Sequence, residues 1–149
     1  MKKSDFDEDV NELKTLVSRA AYSYKRSRDR YLELIELWKD LGNKHFNDQV
    51  TFKLEEDGVL VSGNVSGKPF SIYSTMLYRG GEALLEARIA VKEFAPENEV
   101  LVGKFHVGPN GAIYTADGEV ALSNTEDLRE YKVLSAVIRR VLGVSNPGV

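Results

Sequence analysis

The sequence predicts an α+β domain in two layers: a long N-terminal helix, an antiparallel β-meander of about six strands and a short C-terminal helix. Three observations carry this. Apolar residues recur with helical spacing over roughly the first forty positions. From Gln49 the period falls to two, and turn residues punctuate the chain at short intervals. After Ser123 helical spacing returns.

The first helix is expected over about 4–42. Ser4 suits its N-cap, with Asp7 three residues on in a capping-box position. Asp5, Asp7, Glu8 and Asp9 suit the positive end of the helix dipole, and Gly42 suits its stop. Val10, Val17, Tyr24, Tyr31 and Trp38 recur every seven residues, and Leu13, Ala20, Ser27, Leu34 and Leu41 follow each by three. That is an a/d heptad pattern. Its middle is weak, because Ala20, Tyr24 and Ser27 replace large aliphatics, so a break near Ser23–Ser27 is one expectation.

Length sharpens the question. A helix of about 38 residues spans roughly 57 Å, whereas a compact domain of this size is about 38 Å across. Either the helix breaks, or a second chain buries part of its stripe. The second reading leads to a symmetric homodimer.

The meander is expected over about 49–122. Val50, Phe52 and Leu54 alternate with Thr51, Lys53 and Glu55, and Glu56-Asp57-Gly58 makes a hairpin turn. Val59, Val61 and Val65 share a face, Ser66-Gly67 turns the chain, and Phe70, Ile72 and Ser74 follow. Arg79-Gly80-Gly81 breaks the chain again. Residues 83–94 carry two signals: a helix-forming composition and a period of two through Leu85, Ala87, Ile89 and Val91. They are read as half of a long hairpin turning at Ala95–Asn98, with a crossing helix as the alternative. Val100–Val107, Ile113-Tyr114 and Val120–Leu122 complete the sheet; Gly103 marks a bulge or close packing point.

The last helix is expected over about 124–142, capped by Ser123 or Asn124 with Glu126 completing a box. Its buried stripe is Leu128, Tyr131, Leu134, Ile138 and Val141, and Gly143 ends it. Residues 1–149 read as one domain, with no repeat or linker.

Composition narrows the function classes. The net charge is −3 across 149 residues, which opposes nucleic-acid binding by overall charge while leaving room for a local basic patch. There is no cysteine, so disulfide frameworks, thiolate nucleophiles and Cys-ligated metals fall away, in keeping with a reducing, cytoplasmic compartment. Met-Lys-Lys leads into an acidic stretch rather than an apolar one, which does not resemble a signal peptide.

Specific chemistry finds little support. Gly63–Gly67 followed by Lys68-Pro69 has one residue too few between its glycines for a phosphate loop and lacks the following Ser or Thr. The only histidines, His45 and His106, have no ligand-like spacing, so no metal or cofactor is expected. His106 lies out of phase with Phe105 and Val107, which predicts an exposed or partner-facing side chain. No nucleophile motif occurs, and no catalytic residue is assigned. An enzyme site assembled around His106 and Tyr114 is the third reading of function.

The most unusual local feature is basic. Arg19, Lys25, Arg26, Arg28 and Arg30 stand against the single carboxylate Asp29, interleaved with Tyr22, Tyr24 and Tyr31. Such a face suits ion pairing with carboxylates, a protein interface or phosphate contacts with base stacking. Arg19, Tyr24, Lys25, Arg26, Arg28, Arg30 and Tyr31 are therefore the candidate partner-binding residues. The expected function is a non-enzymatic cytoplasmic binding, adaptor or chaperone-like protein, homodimeric through its first helix and engaging a protein partner, with no membrane involvement. A nucleic-acid-binding regulator using Arg19–Arg30 is the second reading. The order helix, meander, helix is similar in outline to small acidic homodimeric secretion chaperones, but no motif assigns the chain to that family and its first helix is longer.

Overall fold

A computed structural model describes residues 1–92 and 98–144. Its elements, after a 3-10 turn at Lys3–Phe6, are α1 (Val10–His45), β1 (Val50–Glu55), β2 (Leu60–Val65), β3 (Lys68–Arg79), β4 (Glu82–Lys92), β5 (Glu99–Val107), β6 (Ile113–Tyr114), β7 (Val120–Leu122) and α2 (Arg129–Leu142). The α+β architecture matches expectation. Among the described residues the sheet has seven strands, the two residues of β6 pairing on both sides. The strands follow chain order, each antiparallel to the next, in a sheet curled into a half-barrel. Every hydrogen-bonded neighbour is a sequence neighbour, so tight turns rather than crossovers set the topology.

The turns are chemically legible. Ser66 and Gly67 both have positive φ and close a two-residue hairpin between Val65 and Lys68. Gly80 and Gly81 do the same between Arg79 and Glu82. Residues 82–92 are strand, so period outweighed composition: Leu85, Ala87 and Ile89 face the core, and β3 and β5 pair on either side. The turn expected at 95–98 lies largely outside the described residues. Register slips opposite Ile89/Ala90, where Val102 is the extra residue beside Gly103.

α1 is one unbroken helix, with bounds that differ from expectation. The N-cap is Asp9, whose carboxylate accepts from the backbone N–H of Asn11 (3.0 Å) and Glu12 (3.1 Å). Both Ser4 and Asp9 fit the cap pattern. The intervening acidic run contains poor helix formers, so the later cap prevails. Gly42 is not the stop. It is buried inside the helix, where a Cβ would run into the Val50 carbonyl. The turn instead comes at Asn47 and Asp48, both left-handed.

The core lies on the concave face. Tyr31, Leu34, Ile35 and Trp38 from α1 meet Val133, Leu134, Val137 and Val141 from α2 over Val61, Phe70, Ile72, Leu85 and Ile89. Trp38 packs against Phe52 and Phe105, and its Nε1–H donates to the Glu130 carbonyl (2.9 Å), tying the two helices together.

α2 begins five residues later than expected, at Arg129, after a left-handed Leu128. Ser123 Oγ pairs with Thr125 Oγ1, and Glu126 takes Lys132 Nζ, so the expected capping box is not made. The buried stripe is accordingly rotated. Val133 and Val137 are inside, while Leu128 and Tyr131 are exposed.

Candidate functional site

Three places on this scaffold could carry function. The first is the amino-terminal part of α1. No residue from Val10 to Tyr22 is buried, and the first buried residue of the helix is Ser23. This overhang of thirteen residues is about 20 Å long. Its heptad positions Val10, Leu13 and Val17 are open to solvent, Leu13 and Val17 at 59% each, with Leu16 beside them and Ala20 half-buried. The same stripe continues inward from Tyr24, where the protein's own sheet covers it.

The basic residues divide at this junction. Arg19, Lys25 and Arg26 are exposed, and Arg26 lies over the ring of exposed Tyr22 (5.9 Å). Arg28 donates to the Asp57 carbonyl, and Arg30 pairs with Glu33 (3.4 Å). Tyr24 is half-buried against the core. Tyr31 is wholly buried, so it does not join the exposed basic face. Its phase in the heptad places it on the sheet side of the helix, opposite the arginines.

The second place is a polar network on the outer face of the sheet. Glu86 and His106 stand directly opposite each other on β4 and β5, and His106 opposite Tyr114 on β6. His106 is 2% exposed and Glu86 6%, which corrects the expectation of an exposed histidine. It does point away from the core, as its phase requires. It is covered because Arg79 folds across from β3, contacting His106 Nδ1 (3.0 Å) and lying over the Tyr114 ring (5.6 Å).

Chemistry settles the tautomer here. A guanidinium only donates, so Nδ1 accepts and the ring proton sits on Nε2, which donates to Glu86 Oε2 (3.0 Å). Arg88 Nε donates to the other oxygen of Glu86 (2.6 Å). Burial holds the His106 pKa below its ordinary value, with Arg79 adding to the depression and Glu86 opposing it. Burial pushes Glu86 up, but hydrogen bonds from Arg88 and His106 outweigh it and hold the carboxylate below its ordinary range. Both ring nitrogens are engaged by protein, so the network holds β3 to β6 together and offers no free lone pair to a substrate.

His106 and Tyr114 were legible as neighbours of interest. Glu86, Arg79 and Arg88 were not, because their meeting depends on a strand register that no local pattern encodes.

The third place is a half-open cleft of about 430 Å³ between α2 and β5–β7. Ile89, Phe105, Ile113, Val133 and Val137 line its floor, and Lys104, Lys132, Arg140 and Asp117 stand around it. Lys132 is bound to Glu126 (2.9 Å), and Arg140 lies along Gly103. No group of metal-ligating side chains occurs among the described residues.

Comparison with known protein families, curated proteins and solved structures found no match. Of the three places, only the α1 overhang presents exposed apolar side chains, Val10, Leu13 and Val17, in a repeating pattern.

Proposed function

We propose that this chain is a small, non-enzymatic binding module of adaptor or chaperone type, acting in the cytoplasm and homodimeric through the overhang of α1. The observation that carries this reading is the solvent exposure of Val10, Leu13 and Val17 on a helix whose later heptad positions Tyr31, Leu34 and Trp38 are buried. A helix with an a/d stripe gains little alone in water, and burying that stripe against another helix stabilises both. The remaining surface of the dimer would then be free to hold a protein partner.

The test is mass by light scattering at about 100 µM protein. Twice the chain mass is expected for the natural sequence, and the chain mass for Leu13→Glu/Val17→Glu. Both side chains are exposed, so the double variant should retain its unfolding midpoint within the small change typical of surface positions, about 0.5 kcal/mol. A monomeric natural protein would sink the reading.

One observation favours a second reading, a nucleic-acid-binding regulator. Arg26 over exposed Tyr22, with Arg19 and Lys25 nearby, combines cations with a stacking surface. It predicts binding of a single-stranded oligonucleotide that weakens steeply with salt and is lost on Arg26→Glu. Absence of binding at low salt removes it.

A further inference from the structure

We infer that the two copies meet with their overhangs antiparallel, Val10 of one helix beside Ala20 of the other and Leu13 beside Val17. This rests on the homodimer reading and adds the orientation and register of its interface. Three features of the chain carry it.

The first is steric. The a/d stripe is exposed at Val10, Leu13 and Val17, Ala20 is half-buried, and the chain's own sheet closes over the helix from Ser23 onward. Packed helices lie about 8–10 Å apart. A parallel pair joined along this stripe would bring both sheets toward the same end of the seam, into a gap too narrow for either. In the antiparallel pair, Val10 of one copy reaches Ala20 of the other. Each helix begins where its partner's sheet begins, and the two domains lie at opposite ends.

The second is self-complementarity. A two-fold interface requires that if one residue meets another, the reverse contact also occurs. Val10, Leu13, Val17 and Ala20 satisfy this about their own midpoint, larger side chain against smaller at the outer layers. Ser23 and Ser27 are not needed, which agrees with their hydrogen bonds to Ala83.

The third is charge. Asp5, Asp7, Glu8 and Asp9 lead into the helix and Glu12 lies in its first turn, with Lys14, Arg19, Lys25 and Arg26 beyond them. None of these four cations forms an ion pair among the described residues. Parallel helices would align acid with acid and base with base. Antiparallel helices bring the acidic start of one copy alongside Arg19–Arg26 of the other. The exception is Lys14, which approaches its own copy near the two-fold axis on a side chain flexible enough to turn to solvent.

The chain has no cysteine, so single-cysteine variants report without background. Val10→Cys and Ala20→Cys are oxidised separately and as an equimolar mixture, then run on a non-reducing gel beside light-scattering masses. The expected result is a covalent dimer in the mixture and little in either variant alone. Dimerisation of Val10→Cys with itself would overturn the antiparallel arrangement while leaving the homodimer intact. A dimeric mass with no cross-link in any sample would overturn this register. Monomeric masses throughout would remove this inference together with the reading beneath it.

Discussion

Ser27 on α1 donates its hydroxyl proton to the Ala83 carbonyl on β4 (3.0 Å), and both groups are buried. One turn earlier, Ser23 Oγ accepts from the Ala83 N–H (2.8 Å). Ala83 lies beyond the stretch of β4 that β5 pairs, so two serines of the helix satisfy the peptide groups that a neighbouring strand would otherwise take. Small polar side chains that weaken the heptad are what allow helix and strand to approach. Ser27→Ala leaves the carbonyl unpaired and is expected to cost about 1–3 kcal/mol. Urea unfolding followed by the fluorescence of Trp38, the single tryptophan, measures it. A loss below about 0.5 kcal/mol would show that the contact contributes little.

Gly42 lies near the other end of α1, against Val50 of β1. Its missing side chain admits the Val50 carbonyl, and backbone cannot move aside as a flexible side chain can. Gly42→Ala improves helix propensity by about 1 kcal/mol, yet the clash should dominate. The expected outcome is net destabilisation of about 1–3 kcal/mol by overpacking. A variant more stable than the natural protein would show that β1 shifts freely.

Tyr31 gives the reverse case. Its hydroxyl is buried with no hydrogen-bond partner among the described residues, and burial, then Tyr24, push its pKa upward. Tyr31→Phe removes a group that pays desolvation without return. The variant should be as stable as the natural protein or more so, by up to about 1–2 kcal/mol. A clear loss of stability would reveal a partner for the hydroxyl.

The Glu86–His106 pair predicts a dependence on pH. Burial, with Arg79 against Nδ1, holds the His106 pKa in the folded protein below the ordinary 6.5. Between that value and the lower folded one, the unfolded chain binds the additional proton, so stability falls as pH falls. Glu86, depressed below its ordinary 4.5, contributes stability above that value and loses it as pH drops through the folded one. The two effects share a sign but act in successive windows. The urea midpoint should decline from pH 7 to 5, and His106→Gln should flatten that part of the curve. An unchanged slope in the variant would assign the dependence elsewhere.

Periodicity determined much of this protein. Heptads made α1, alternation made the strands, and Asp-Gly, Ser-Gly and Gly-Gly placed turns, because each depends on residues close in the chain. The uncovered stripe was likewise legible, since a helix of that length exceeds the domain that could cover it. Contacts across the fold decided what remained. Asp9 prevailed over Ser4 as cap, Gly42 served packing rather than termination, and Ser23 and Ser27 completed a strand instead of breaking a helix. Glu86, His106 and Arg79 became one buried network although they come from three strands. Local sequence sets backbone conformation and hydrophobic phase. Which polar groups meet across strands depends on register, and register is the joint outcome of the whole sheet and the helices laid upon it.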